Sequence, residues 1–148
     1  MGVSNSKQNE FNLGELDPNN INDDEIEFVK VIGKKGNGNG EFNYPIDVDF
    51  DSNGNIYVVD RWNHRIQKFD SKFNFIQIIG KIGWLNCQFD YPFAIFIGKK
   101  QHDKFNNQIL IADGNNKRIQ ILSLNGEYLN EIKCEYPSGV CVDELNHS

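Results

Sequence analysis

The chain has 148 residues, of which 39% are hydrophobic and 24% are charged, and its formal net charge is −6 at pH 7. This composition supports a packed core, and no apolar run approaches the roughly 18 residues that a membrane-spanning helix needs. Residues 1–27 hold seven of the 21 acidic and one of the 15 basic residues, so the remainder is formally neutral. The overall acidity therefore says nothing about the partners of the folded part.

The first 25 residues are predicted to form a disordered acidic tail, because they are rich in Asn, Ser and acids and their apolar residues are isolated. The tail begins Met-Gly-Val-Ser-Asn-Ser, which fits the acceptor pattern for N-myristoylation at Gly2. One acyl chain binds a membrane weakly, so at most a peripheral association is predicted. The three cysteines form no CxxC pair and no signal peptide is recognised, which favours free thiols in the cytoplasm.

Strand signals follow in close succession. Residues 26–33 are predicted to form one strand, with successive side chains on opposite faces. In residues 45–50, apolar side chains alternate with polar ones. An Asn-Gly turn leads to a β-branched and aromatic run at 56–59, and further strands are predicted to begin at Arg65 and at Phe73. The four strands after residue 45 predict an antiparallel meander.

The meander occurs twice. Three marks recur in register: Phe42 and Phe89 in Phe-x-x-Pro, Asp60 and Asp113 at the end of an aliphatic run, and Arg65 and Arg118 in Asn-x-Arg-Ile-Gln. The second copy carries extra residues within 98–108, between its first two strands. The prediction is one unit at 45–80, a second at 92–133 and the opening strand of a third at 136–143.

This spaced series resembles the NHL repeat, and the resemblance covers about residues 26–143. NHL repeats form the blades of a β-propeller. The resemblance therefore implies an all-β fold of four-stranded antiparallel blades, with residues 26–33 as the outer strand of the last blade. Two blades are an incomplete ring and leave sheet faces bare, so we expect further blades from a longer chain or from self-association.

Several short motifs suggest other chemistry. A calcium-loop spacing is present at Asp49, Asp51, Asn53, Gly54, Asn55, Ile56 and Asp60. Its flanks predict strands where a calcium loop needs helices, so these residues are interpreted as belonging to turns and strand ends. The glycine-rich run 33–40 lacks the Gly-Lys-Ser/Thr of a phosphate loop and is interpreted as a crossing between blades. The recurring Asp/Arg pairs are interpreted as structural, and no cofactor or metal is predicted.

Catalysis is not predicted. The histidines His64, His102 and His147 occupy non-equivalent positions in the repeats and form no set of metal ligands. NHL-like propellers include an amidating lyase that holds zinc, so a metal-dependent lyase or hydrolase is the weakest alternative that the resemblance leaves open.

Successive turns of an antiparallel meander point to opposite ends, so residues 34–44, 61–64, 81–91 and 114–117 are expected to share one end. The predicted binding residues at this end are Lys34, Lys35, Arg61, Trp62, His64, Lys81, Trp84 and Lys117. Cations among aromatic side chains suit a protein partner or single-stranded RNA. Because the basic excess is small, the sequence favours a non-catalytic scaffold for a protein partner. The alternative for both tryptophans is a core position between blades.

Overall fold

The computed structural model describes residues 31–99 and 104–140, which contain ten β-strands. Two of them, β1 (Lys34–Lys35) and β2 (Glu41–Phe42), form a short parallel pair. The other eight form two four-stranded antiparallel sheets. The predicted tail and Gly2 lie outside the described residues. Within the described ranges, no helix is long and apolar enough to cross a membrane.

The two sheets are the two predicted meanders. Blade 1 contains β3 (Pro45–Phe50), β4 (Ile56–Asp60), β5 (Arg65–Phe69) and β6 (Phe75–Ile79), in that spatial order. Blade 2 contains β7 (Pro92–Ile97), β8 (Gln108–Asp113), β9 (Arg118–Ser123) and β10 (Tyr128–Lys133). A short 3-10 helix, Arg61–Asn63, joins β4 to β5. The predicted all-β class with antiparallel four-stranded blades is confirmed.

The strands predicted at the two ends of the repeat region do not form in the residues described there. Residues 31–33 and 136–140 are not strands, while residues 26–30 and 141–143 lie outside the described residues. A strand is stable only beside a hydrogen-bonded neighbour. Neither end segment pairs with a strand within the described ranges, which is the physical reason for the difference.

The core lies between the blades, because alternate residues of each strand point to the same face of its sheet. Blade 1 supplies Tyr57, Val59, Ile66 and Ile79, and blade 2 supplies Ile95, Ile97, Ile109, Ile111 and Leu122. Phe89, from the loop between the blades, completes this buried cluster. One face of blade 1 is therefore packed against the opposite face of blade 2.

Two aspartates of β3 join the inner edges of the blades. The Asp47 carboxylate accepts the N–H of Val48 at 2.9 Å and that of Ile95 at 2.9 Å. Asp49 accepts the N–H of Ile97 at 2.7 Å in the same way. Since β3 and β7 are the edge strands of their sheets, these N–H groups have no strand partner. The carboxylates satisfy them and fix how blade 2 stacks on blade 1.

The backbone repeats as closely as the sequence does. Left-handed conformations recur at equivalent positions: Gly33 and Gly80, Gly40 and Cys87, Tyr44 and Tyr91, His64 and Lys117. Gly80 also lies so close to Phe89 that a Cβ atom there would overlap the phenylalanine ring, and Gly33 lies in the same way against Phe42. Each glycine thus allows the Phe of Phe-x-x-Pro to reach its packed position.

Candidate binding site at the loop face

The four segments expected at one end of the blades do meet there. The Trp62 N–H donates to the carbonyl of Asn43 at 3.1 Å, and in the second copy the Asn115 N–H donates to Asp90 at 3.1 Å. Each turn between the second and third strands of a blade therefore lies against the loop that leads into that blade. We call this end, made of residues 34–44, 61–64, 81–91 and 114–117, the loop face.

A buried carboxylate organises the loop face of blade 1. Asp60 Oδ2 accepts hydrogen bonds from Arg65 Nε at 2.8 Å, Asn63 Nδ2 at 2.9 Å and Gln67 Nε2 at 3.2 Å. Its Oδ1 accepts the N–H of Asn43 at 2.7 Å. Asp60 is fully buried and Arg65 nearly so. A buried charge is tolerable only when it is paired and hydrogen-bonded, which explains why the residues occur together.

The arginine of each network also donates hydrogen bonds to backbone carbonyls of the loop that leads into its blade. Arg65 Nη1 donates to the carbonyl of Asn37 at 2.9 Å, and Nη2 donates to Gly38 at 2.8 Å and to Glu41 at 2.9 Å. Blade 2 repeats the arrangement with Asp113, Asn116, Arg118 and Gln120. The structural role predicted for the recurring Asp/Arg pairs is confirmed.

Comparison of the equivalent turns in blade 1 and blade 2 shows which side chains the fold does not require. Trp62 and Asn115 occupy the same place, and each donates its N–H to the equivalent loop carbonyl. Arg61 is matched by Gly114 in the same turn. Because the same turn forms in blade 2 with Asn115 and Gly114 at these positions, the fold does not require the side chains of Trp62 or Arg61.

Trp62 forms one wall of an open groove of about 570 Å³. Its ring stacks on that of Tyr44, with centroids 5.3 Å apart and planes at 21°. Both rings are exposed, at 52% for Trp62 and 58% for Tyr44. Lys34, Lys35 and Pro45 also line the groove. Lys34 is paired with Glu41 at 3.1 Å, so Lys35 is the lysine of this groove that has no ion-pair partner among the described residues.

Arg61 points to a second groove, of about 200 Å³, on the side of blade 2. Its guanidinium carbon lies 4.7 Å from the ring centre of Phe93 and 5.6 Å from that of Tyr91. Tyr136 and Pro137 line the same groove. The second groove thus combines one cation and apolar walls with the carboxylate of Glu135.

The other predicted binding residues have different surroundings. The Tyr91 N–H donates to His64 Nδ1 at 3.1 Å, and the His64 side chain is only 12% exposed, so it belongs to the junction between the blades. Lys117 is paired with Glu135 at 2.8 Å. Lys81 and Trp84 lie on the next loop and line neither groove, and Trp84 is 77% exposed. Neither Trp62 nor Trp84 packs as core between blade 1 and blade 2.

Three tyrosines that line the two grooves were absent from the predicted site although the sequence carried a signal for them. Tyr44, Tyr91 and Tyr136 each precede the proline of a repeat. Tyr44 supports Trp62, while Tyr91 and Tyr136 form part of the wall of the second groove. A residue that recurs beside a fixed proline next to a binding loop is therefore a useful marker of this surface.

The residues at calcium-loop spacing serve the fold. Asp51 Oδ1 accepts the N–H groups of Asn53 and Asn55, each at 2.9 Å, and its Oδ2 accepts Asn55 Nδ2 at 2.7 Å. Asp49 is bound to blade 2 and Asp60 belongs to the opposite end. Among the described residues, no group of three or more His, Cys, Asp or Glu is placed to hold a metal ion.

Asp51 makes the stability of the fold sensitive to acid. Burial by itself raises its pKa, but hydrogen bonds from Asn55, Asn53 and Tyr57 outweigh burial and hold the pKa below its ordinary value. A carboxyl with a lowered folded pKa stabilises the fold while ionised. That contribution is complete at neutral pH, begins to fall near the unfolded value of about 4, and is lost as the pH falls through the folded value.

We therefore expect Asp51→Asn to lower the free energy of unfolding at neutral pH by about 1–2 kcal/mol, because the second carboxylate oxygen is lost. The variant should lose less further stability than the wild type between about pH 6 and about pH 3. Urea denaturation across that range measures both values. Parallel pH dependences in the two proteins would contradict the assignment.

Comparison with known proteins places a family match on blade 1. The family model described as NHL repeat matches residues 42–69. The E3 ubiquitin-protein ligase TRIM32 of Homo sapiens is 44% identical over 45 residues, which are 30% of this chain and 7% of TRIM32. A solved protein of unknown function from Bacteroides caccae is similar with a TM-score of 0.46 and 13% identity, over 60% of this chain and 28% of that one.

Proposed function

The chain belongs to the NHL-repeat proteins, and from this premise we propose that it is a non-catalytic binding module that holds a protein partner on its loop face. The observation that carries the proposal is the exposed Trp62–Tyr44 stack. Blade 2 needs no aromatic residue at the position of Trp62, since Asn115 makes the same backbone bond. A large apolar side chain that the fold does not need is best explained by contact with a partner.

Charge supports a protein partner over RNA. Lys34 is paired with Glu41, and Lys117 is paired with Glu135. These two of the predicted cations therefore contribute little net positive charge to the surface. Binding of single-stranded RNA draws its affinity from several unpaired cations along the phosphate backbone. Paired lysines beside aromatic anchors are more typical of a protein interface, where aromatic residues and arginine dominate the energy.

The ligase activity named for TRIM32 belongs to that protein, of which the matched stretch is 7%, and it is no part of the proposal. The myristoyl group at Gly2, the weak peripheral membrane association and the cytoplasmic location stay predictions. The outer face of blade 1 lines an apolar groove of about 370 Å³ with Val48, Phe50 and Val58. This bare face supports the further proposal that another blade covers it, from a longer chain or a second copy.

Substitutions taken from blade 2 test the site without harming the fold. We expect Trp62→Asn and Lys35→Ile, which install the residues of Asn115 and Ile82, to weaken partner binding together by about tenfold or more. Affinity capture followed by mass spectrometry would identify the partner, and calorimetry with the purified partner would measure the change.

Leu129→Asn is the matched control, because Leu129 is also a large exposed apolar residue but lies on the outer strand β10. Its partner binding should equal that of the wild type. Unchanged affinity in the Trp62 and Lys35 double variant would refute the proposed site. Filter binding to RNA that weakens steeply between two salt concentrations, and that the double variant loses, would favour the RNA alternative.

A further inference from the structure

Arg61 is a cation that the described part of the chain leaves without a counterpart. It follows β4, and its guanidinium crosses to blade 2, where it lies over Phe93 and Tyr91. Its Nε is buried and has no hydrogen-bond partner within residues 31–99 and 104–140. A guanidinium has five N–H donors, and proteins rarely leave a buried donor unsatisfied. An unsatisfied group of this kind requires an explanation.

The fold does not provide that explanation. Gly114 occupies the position of Arg61 in blade 2, so the turn forms without an arginine. Arg65 and Arg118, which the fold does need, differ from Arg61 at the Nε atom. Each donates its Nε–H to a buried aspartate, at 2.8 and 2.9 Å. Among the residues that the structure describes, the Arg61 side chain is held by ring contacts, which leaves its charge available.

The groove beside Arg61 has the size and chemistry for one acidic side chain. Its volume is about 200 Å³, and Phe93, Tyr136 and Pro137 give it apolar walls. Glu135 also lines it, but its carboxylate is paired with Lys117 at 2.8 Å and does not compensate Arg61. With Nε buried, a carboxylate in the groove would accept two parallel hydrogen bonds from the terminal nitrogens Nη1 and Nη2 of Arg61, and apolar walls strengthen such a pair by excluding water.

We propose that Arg61 and this groove bind the carboxylate of an Asp or Glu within an acidic peptide segment of the partner. The proposal rests on the protein-binding function of the loop face and names the class of partner segment. Peptide is favoured over RNA because the groove offers a single uncompensated cation next to Glu135, whereas a polyphosphate needs a row of cations.

Nuclear magnetic resonance of the arginine Nε–H groups provides a direct test on the full chain. Arg61, Arg65 and Arg118 each carry an Nε–H held close to the folded core, and the latter two are internal references because their acceptors are Asp60 and Asp113. The probes are a blocked peptide with one glutamate among alanine and proline, the same peptide with glutamine, and oligouridylate.

The glutamate peptide is expected to shift the Arg61 Nε–H resonance and leave those of Arg65 and Arg118 in place. The glutamine peptide and oligouridylate should shift none of them. Arg61→Gly, which installs the residue of Gly114, should weaken binding of the glutamate peptide by about tenfold or more, and Arg61→Lys should restore part of it.

No shift with the glutamate peptide, or an equal shift with the glutamine peptide, would overturn the carboxylate site. A shift caused by oligouridylate and abolished by salt would overturn it in favour of RNA. The natural partner separates the two proposals: if Trp62→Asn loses the partner while Arg61→Gly keeps it, only this inference fails. If both variants keep the partner, the loop-face proposal fails as well.

Discussion

Replacing Asp113 with alanine is expected to lower the free energy of unfolding by about 3–5 kcal/mol, a large part of the stability of a small domain. Asp113 is fully buried and accepts hydrogen bonds from Arg118 Nε at 2.9 Å, Asn116 Nδ2 at 2.9 Å and the Asp90 N–H at 2.8 Å. Without it, Arg118 Nε loses its acceptor and the buried guanidinium keeps only Glu131, 3.0 Å from Nη1, as a counter-charge, while the other donors lose their acceptor.

Urea denaturation followed by circular dichroism measures this loss. Asp70→Ala is the matched control, because the Asp70 carboxylate also accepts several hydrogen bonds, three in all from Lys72 and Asn74, but lies in an exposed turn. Its loss should be much smaller. If Asp113→Ala does not fold, Asp113→Asn keeps one acceptor oxygen and should give a smaller loss than the alanine variant. Equal losses for Asp70→Ala and the Asp113 variants would contradict a special role for the buried network.

Replacing Gly80 with alanine should cost about 2–5 kcal/mol for two separate reasons. Its φ is +87°, a conformation that costs an L-residue about 1–2 kcal/mol. The added Cβ would also overlap the ring of Phe89, which is fully buried in the core between the blades. Overpacking of a close-packed core costs about 1–3 kcal/mol more. Thermal and urea unfolding of the variant measure the sum.

Gly40→Ala isolates the first of these reasons. Gly40 has a φ of +73°, but a Cβ there would meet no atom within 4 Å. Its equivalent in blade 2 is Cys87, which adopts a φ of +57° and so shows that a side chain is tolerated there. The loss for Gly40→Ala should be about 1–2 kcal/mol. If Gly40→Ala and Gly80→Ala lost the same stability, the contact with Phe89 would not be the cause.

The eight strands of the two blades, their turns and the repetition of the meander could be predicted from the amino-acid sequence. These features depend on neighbours a few residues away: period-two alternation defines a strand, and Asn-Gly or Asp-x-x-Asn chemistry defines a turn. The pairing of Asp60 with Arg65 was also predictable, because the two residues recur at the same spacing in both blades. The strands predicted at residues 26–33 and 136–143 do not form at the described residues 31–33 and 136–140, since a strand also needs a partner.

The exposure of the loop-face side chains could not be predicted from the sequence, because it depends on contacts between residues that are distant in the chain. Trp62 and His64 are two residues apart, yet Trp62 points to solvent while His64 accepts the N–H of Tyr91, 27 residues later in the chain. Glu135 neutralises Lys117 across 18 residues, and Arg61 lies on a ring of the other blade. Local sequence sets the backbone path, but the exposure and charge of a loop side chain depend on what the stacking of the two blades places beside it.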